Sequence, residues 1–202
     1  MEIPRPASYT GGLESSFMTP IQPVRLASVG LGGYAGMMYD FFQQAARGEN
    51  PPITVEAVCE PDQVLHAARV ARLRDAGVKV FADFDQLLAE PVEAVWLPLP
   101  IDLHRPFTER AMAAGKAVIC EKPAAGCVDD LDAMIAARDR LHAMAAIAFQ
   151  DIYSDDIVAV KRQLLGGAIG EIQGLTLRAC WPRGYKYYAR SAWAGKNQRN
   201  GT

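Results

Sequence analysis

The 202-residue chain lacks any apolar run as long as the roughly 18 residues that a membrane-spanning helix needs. It also lacks an excess of charge, because 21 Lys and Arg against 23 Asp and Glu give a net charge of −2. No basic run interleaved with aromatic residues occurs, so neither a membrane nor a nucleic acid is expected as a partner. Half of the residues are apolar, which is typical of a soluble globular protein with a sizeable core.

Cysteine is scarce, with four residues in the chain and no C-x-x-C spacing among them. This spacing argues against a disulfide framework and against a zinc site, and no metal is expected. We predict four reduced and buried thiols in a cytoplasmic protein, at Cys59, Cys120, Cys127 and Cys180.

Residues 1–22 are rich in Pro, Gly, Ser and Thr, and they lack the basic and apolar regions of a secretory signal. We interpret them as a disordered leader, with Met18 as a candidate native start. Residues 23–150 are predicted to form a dinucleotide-binding domain. Residues 151–202 are predicted to begin a second, α+β domain that is incomplete in this chain.

From Val24 onward, short β-type runs alternate with helix-type segments. This alternation is typical of an α/β fold with a doubly wound parallel sheet, the Rossmann architecture. The predicted strands lie at about 24–29, 53–59, 78–81, 92–97, 117–120 and 143–149. The predicted helices lie at about 34–47, 61–76, 84–89, 103–114 and 129–142.

The pattern changes after Gln150, where a helix at about 155–165 precedes an alternating run over 171–181. That run predicts a half-buried strand of an antiparallel sheet. One strand and one helix cannot bury a core alone, so the second domain is expected to be incomplete. The aromatic and Arg-rich segment 181–193 either stacks on a sugar ring or begins that sheet.

A glycine-rich turn follows the first predicted strand directly, with the sequence Gly30-Leu31-Gly32-Gly33-Tyr34-Ala35-Gly36. It is close to the G-x-G-x-x-G pattern, with one additional glycine. The first glycine permits a tight turn, the second lets the backbone approach a pyrophosphate, and the last lets the helix pack on the strand. The helix N-terminus then faces the phosphates. We therefore predict a dinucleotide site that includes Tyr34 and Ala35.

Glu60 ends the second predicted strand, where a carboxylate can accept hydrogen bonds from both hydroxyls of an adenosine ribose. A 2′-phosphate would meet its negative charge, and Pro61 and Asp62 follow instead of a basic residue. The sequence therefore predicts NAD as the cofactor, with NADP disfavoured. The alternative is a solvated acid at a strand end.

Glu121-Lys122-Pro123 follows the fifth predicted strand, at the edge of the sheet where such folds bind ligands. Partial desolvation of Lys122 would lower its pKa and suit it to proton transfer or to holding a substrate hydroxyl. Pro123 disfavours helix at the residue before it and stiffens the loop. The alternative is a surface Glu–Lys pair.

The glycine turn, Pro100-x-x-x-His104 and Glu121-Lys122-Pro123, in this order after successive strands, resemble the glucose–fructose oxidoreductase/inositol dehydrogenase (Gfo/Idh/MocA) family. The segment 167–172 is also similar to that family, and the likeness runs from about Val24 to the C-terminus. The resemblance implies a nicotinamide-dependent oxidoreductase that transfers a hydride from a sugar, a polyol or a related alcohol.

The resemblance implies roles for single residues. Glycines 30, 32, 33 and 36 would hold the pyrophosphate and Glu60 the ribose. Pro100 and Glu121 would line the cofactor site, and Lys122 would be both a cofactor contact and the catalytic residue. His104 matches a family position near the cofactor, although a histidine that caps its own helix explains it equally well.

Family dehydrogenases take their general base from an Asp-x-x-x-His pattern in the second domain, which we expect beyond residue 202. His66 and His142 are not expected to replace that base, so this chain should bind the cofactor but turn over poorly. An NAD-dependent glycoside hydrolase and a non-catalytic NAD-binding protein remain alternatives. The full-length protein is expected to be a homo-oligomer.

Overall fold

The computed structural model describes residues 22–47, 51–189 and 195–196. The predicted leader, apart from its last residue, lies outside the described residues. None of the helices in the described part is long and apolar enough to cross a membrane.

Six parallel strands form one sheet in the order β3-β2-β1-β4-β5-β6. This order confirms the predicted doubly wound α/β architecture, because the chain reverses its direction of growth across the sheet after β3. The strands are β1 (Val24–Val29), β2 (Ile53–Cys59), β3 (Lys79–Phe81), β4 (Ala94–Leu97), β5 (Ala117–Cys120) and β6 (Ala145–Ile147).

Helices connect the strands close to the predicted positions. They are α1 (Gly33–Ala45), α2 (Ala67–Asp75), α3 (Phe84–Leu88), α4 (His104–Ala113), α5 (Val128–Leu141), α6 (Asp155–Leu165) and α7 (Tyr185–Tyr188). The predicted cap of α3 is confirmed, since the Asp83 carboxylate accepts hydrogen bonds from the amides of Asp85 and Gln86 at 2.9 and 3.1 Å.

The predicted start of α2 at Pro61 is wrong, because the helix begins six residues later at Ala67. Two carboxylates hold the preceding backbone in turns. Glu60 accepts from the Asp62 amide at 2.9 Å, and Asp62 accepts from the Leu65 amide at 2.9 Å. Side-chain acceptors that bond nearby amides in this way compete with helical hydrogen bonding.

The sheet buries apolar side chains on both of its faces, as expected for a parallel sheet covered by helices. β4 is wholly buried and divides its side chains between two clusters. Val95 and Leu97 join the cluster that includes Met112 and Met134 of α4 and α5. Trp96 lies on the opposite face, in a second cluster that includes Tyr39 of α1.

The strand predicted over 171–181 is wrong, because this segment is exposed and without regular secondary structure. A strand needs a neighbour that accepts and donates its backbone hydrogen bonds, and the described residues supply none beside it. The helix predicted at 155–165 is confirmed as α6. Part of the aromatic segment forms the short helix α7, whose rings are also exposed.

The prediction of four buried thiols is wrong for two of them. Cys59 and Cys120 are buried in strands, and burial is the main cause that raises the pKa of each thiol to about 11. Cys127 is exposed because it precedes α5 as its N-cap instead of lying in a strand. Cys180 is exposed because the segment around it lacks a covering layer.

These environments predict two classes of thiol. At about pH 8 the native chain should react with an aromatic disulfide reagent at Cys127 and Cys180, since the thiolate is the reacting form. Cys59 and Cys120 should react after denaturation. Peptide mass mapping of the labelled chain measures this, and native labelling of either strand cysteine would contradict the burial described above.

The packing of α1 against the first loop predicts that Gly36 cannot be enlarged. A Cβ there would collide with the backbone oxygen of Leu31 and with the Arg69 guanidinium. The carbonyl cannot move aside, so Gly36→Ala should lower the free energy of unfolding by about 1–3 kcal/mol.

Chemical denaturation of Gly36→Ala measures this effect. Gly174→Ala is the matched control, because nothing lies within 4 Å of a Cβ at that position. The control should stay within about 0.5 kcal/mol of the wild type. Equal stability of the two variants would refute the close approach at Gly36.

Candidate cofactor and active site

The strand order reverses between β1 and β4, and in such sheets ligands bind in the crevice outside the carboxyl ends of the strands at that point. The residues predicted from sequence follow the carboxyl ends of β1, β2, β4 and β5, which are consecutive in the sheet in the order β2-β1-β4-β5. The topology therefore brings the predicted site residues to one edge. That edge is the candidate site.

The glycine turn joins β1 to α1 through backbone conformations that favour glycine. Gly30 has φ of +87° and Gly33 has φ of +49°, both in the left-handed region. The Gly30 amide donates to the Cys59 carbonyl at 2.7 Å, which fixes the start of the turn against β2.

The N-terminus of α1 suits an anion. Gly32 is its N-cap, no side chain of the described residues caps it, and its first turn holds no acidic residue. Its amide groups are therefore available to a ligand in the way that a bound pyrophosphate requires. The residues of this turn fit the phosphates of a dinucleotide.

Glu60 is buried at the end of β2 and is not a solvated acid. Its carboxylate accepts from the Leu31 amide at 2.8 Å and from the Asp62 amide at 2.9 Å. Two oxygens offer about four lone-pair positions, so these bonds leave capacity for ribose hydroxyls. The carboxylate is thereby fixed beside the glycine turn.

Glu121 is the second buried carboxylate of this edge, at the end of β5. It accepts from the Trp96 indole at 3.2 Å and from the Lys122 amide at 3.3 Å. Tyr34 of the glycine turn lies near enough to Glu121 for the carboxylate to act on the Tyr34 hydroxyl. Partial burial raises the pKa of Tyr34, and the nearby Glu121 carboxylate raises it further. Tyr34 thus connects the glycine turn to the Glu121-Lys122 segment.

Lys122 is exposed, so the partial desolvation predicted from sequence is wrong. Lys122 lies in the β5–α5 loop and lines a hollow of about 250 Å³ together with Phe149, Gln150, Asp151 and Ile152. The Lys122–Pro123 peptide bond is cis. Because Lys122 is exposed, its charged group is accessible to a molecule that enters the hollow.

His104 is buried, and its ring does not cap α4. Its two ring nitrogens each lie 2.9 Å from a carbonyl oxygen, one from Leu99 and the other from Pro123. A neutral ring donates to one of these oxygens and an imidazolium donates to both. His104 therefore ties the loop after β4, which contains Pro100, to the loop after β5.

His66 is a neighbour of the site that the sequence prediction left out. It is the N-cap of α2, and its Nε2 lies 3.9 Å from a Glu60 carboxylate oxygen. The available signal in the sequence was the short separation of His66 from Glu60, with Pro61 to Leu65 between them. Three strand intervals separate the ends of β2 and β5, about 14 Å at the usual spacing, so His66 is not a base for a substrate beside Lys122.

Comparisons with known proteins identify the family of this chain. The model of the GFO_IDH_MocA family, described as an oxidoreductase family with an NAD-binding Rossmann fold, matches residues 24–149. A crystal structure of the WlbA dehydrogenase from Chromobacterium violaceum with NADH and UDP-GlcNAcA is 25% identical. It has a TM-score of 0.73, and the match covers 89% of this chain and 51% of that one.

Two curated relatives have sugar or polyol names. A dTDP-3,4-didehydro-2,6-dideoxy-alpha-D-glucose 3-reductase from Streptomyces violaceoruber is 32% identical over 77% of this chain and 44% of its own length. An inositol 2-dehydrogenase from Pseudomonas savastanoi pv. phaseolicola is 39% identical over 52% of this chain and 32% of its own length. The matches thus span less than half of each relative. The family match over most of the described residues shows that this chain belongs to the GFO_IDH_MocA family of NAD-binding oxidoreductases.

Proposed function

We propose that this chain is the dinucleotide-binding part of an NAD-dependent oxidoreductase that acts on the hydroxyl of a sugar, a polyol or a related alcohol. The observation that supports it best is the shared edge of the glycine turn, Glu60 and Glu121-Lys122, at the carboxyl ends of adjacent strands. The names of the inositol and deoxysugar relatives support the substrate class.

When bound, NAD supplies a nicotinamide ring that accepts a hydride from the alcohol carbon. The uncapped first turn of α1, from Gly33 to Gly36, would bind the pyrophosphate, and Gly30 and Gly32 leave room for it. Glu60 would accept hydrogen bonds from the adenosine ribose. Pro100, Tyr34 and Glu121 would border the nicotinamide half, with His104 holding the loops behind them.

Lys122 would orient the substrate hydroxyl in the adjoining hollow. An ammonium is a donor without acceptor capacity, so it can hold a hydroxyl oxygen but not receive its proton. As the family resemblance implies, the proton acceptor would come from a second domain. We propose for the same reason that the isolated chain binds NAD and turns over poorly.

The charge of Glu60 favours NAD over NADP, because a 2′-phosphate would approach a buried carboxylate. We further propose that the enzyme is cytoplasmic, that it forms a homo-oligomer through its second domain, and that it has neither a nucleic acid nor a membrane as partner. The domain division at about residue 150 belongs to the same proposal.

Glu60→Gln tests the ribose contact. A neutral amide accepts through one oxygen instead of two, so the affinity for NAD should fall about tenfold, as for the loss of a charged hydrogen bond. The preference for NAD over NADP should decrease at the same time. Isothermal calorimetry of this chain with both dinucleotides measures both effects.

Glu56→Gln is the matched control, since Glu56 is an exposed carboxylate on the same strand. It should bind NAD as the wild type does. Tighter binding of NADP than of NAD by the wild-type chain would overturn the proposed preference, and binding of neither would overturn the proposed function.

Lys122→Met tests the catalytic assignment in the protein encoded by the full reading frame. Loss of the ammonium should lower kcat/KM by about a hundredfold or more, the range of a positioned proton-transfer or orienting group. The dissociation constant of NAD should change less than about threefold, because Lys122 is exposed at the rim of the site.

Lys161→Met removes an exposed ammonium of α6 and serves as the control with unchanged rates. Polyols and sugars with NAD are the substrates to assay, by absorbance of the reduced nicotinamide. Wild-type turnover by the Lys122→Met protein would refute the catalytic role. NAD binding without any turnover of the full-length wild type would favour a binding protein instead.

A further inference from the structure

The imidazole of His66 lies between two parts of the candidate site. Its Nε2 is 3.9 Å from the Glu60 carboxylate and 3.4 Å from the position that a Cβ on Gly32 would occupy. The ring therefore covers the glycine at which the backbone approaches a pyrophosphate, next to the carboxylate assigned to the ribose. The side chain is 24% exposed, so a ligand can reach it.

The charges around His66 come from three elements. Glu60 faces it from the end of β2, and Asp62 lies in the turn that precedes α2. On α2 itself, Arg69 is one turn further along, and its guanidinium is paired with Asp40 of α1 at 3.0 Å. The Arg69 charge is thus already matched by a carboxylate. Among these kinds of side chain, imidazole is the one whose charge ordinarily changes between about pH 5 and 8.

We propose that His66 completes the adenosine-ribose subsite and makes the choice between NAD and NADP depend on pH. This inference rests on the proposed function, since it assigns a further residue of the same dinucleotide site. In its neutral form the imidazole offers a hydrogen bond to the ribose–phosphate part of the ligand. In its protonated form it offsets the negative charge of Glu60.

The charge on His66 affects the binding of a phosphate at the ribose 2′-oxygen, which is the group that distinguishes NADP from NAD. At alkaline pH a neutral imidazole does not offset the carboxylate, and NAD is preferred. As pH falls through the range in which histidine becomes charged, an imidazolium beside Glu60 forms a charge-assisted hydrogen bond with the phosphate. The discrimination against NADP should therefore weaken toward acid pH.

The experiment measures dissociation constants of this chain for NAD and NADP by calorimetry at about pH 6 and about pH 8. The ratio of the NADP constant to the NAD constant should fall about fivefold to tenfold on acidification, the size of one charge-assisted hydrogen bond. The 2′-phosphate also titrates in this range, so the comparison between variants isolates the protein's contribution.

Two variants fix the charge at position 66, one as neutral and one as positive. In His66→Gln the side chain stays neutral, and the ratio should follow the titration of the ligand alone. In His66→Lys it stays charged, and NADP binding should be improved at about pH 8 to the level that the wild type reaches at about pH 6. Arg72→Gln, which removes an exposed cation from the same helix, should reproduce the wild-type profile.

The outcomes separate the two proposals. Wild-type pH dependence that persists unchanged in His66→Gln overturns the assignment of His66 while NAD binding itself stands. A ratio that does not change with pH in the wild type overturns it as well. Failure of the wild type to bind either dinucleotide overturns the proposed function and this assignment together. Thermal unfolding of each variant checks that His66→Gln and His66→Lys are folded.

Discussion

The hydrogen bond from the Leu31 amide to the Glu60 carboxylate, at 2.8 Å and buried, is the interaction on which the candidate site depends. It joins the turn after β1 to the end of β2, and the same carboxylate holds the turn before α2 through the Asp62 amide. A buried carboxylate without donors would be strongly destabilising, so the backbone must come to it. The conformation of the glycine turn and the late start of α2 both follow from this requirement.

The other half of the edge repeats this arrangement with a different set of donors. Glu121 is also buried, and it accepts hydrogen bonds from the Trp96 indole and the Lys122 amide. Each acid thus follows one strand and takes a hydrogen bond from a segment that belongs to another. The loops at this edge are thus joined by hydrogen bonds between polar groups, whereas the strands beneath them also bury apolar side chains on both faces of the sheet.

Periodicity and turn residues were sufficient to predict the six strands and the glycine turn, because burial and positive φ values leave clear traces in sequence. β5 agreed with its predicted bounds at Ala117–Cys120. The turn before α2 escaped prediction because Pro61 suits a first helical turn, while the acceptors Glu60 and Asp62 act through geometry. The run 171–181 alternates like a strand, but a strand also needs a partner that the pattern does not report. The exposure of Lys122 and the position of His66 depend on loop packing, which one sequence does not encode locally.

The fixed spacing of strands in a sheet sets the distance between the two buried carboxylates at this edge. Glu60 and Glu121 follow β2 and β5, and the interval between them is set by backbone hydrogen bonds across β1 and β4. Substitutions in the loops can change what each end recognises, but they cannot change how far apart the ends are. A small molecule that contacts both carboxylates must therefore be about 14 Å long, whatever its chemistry.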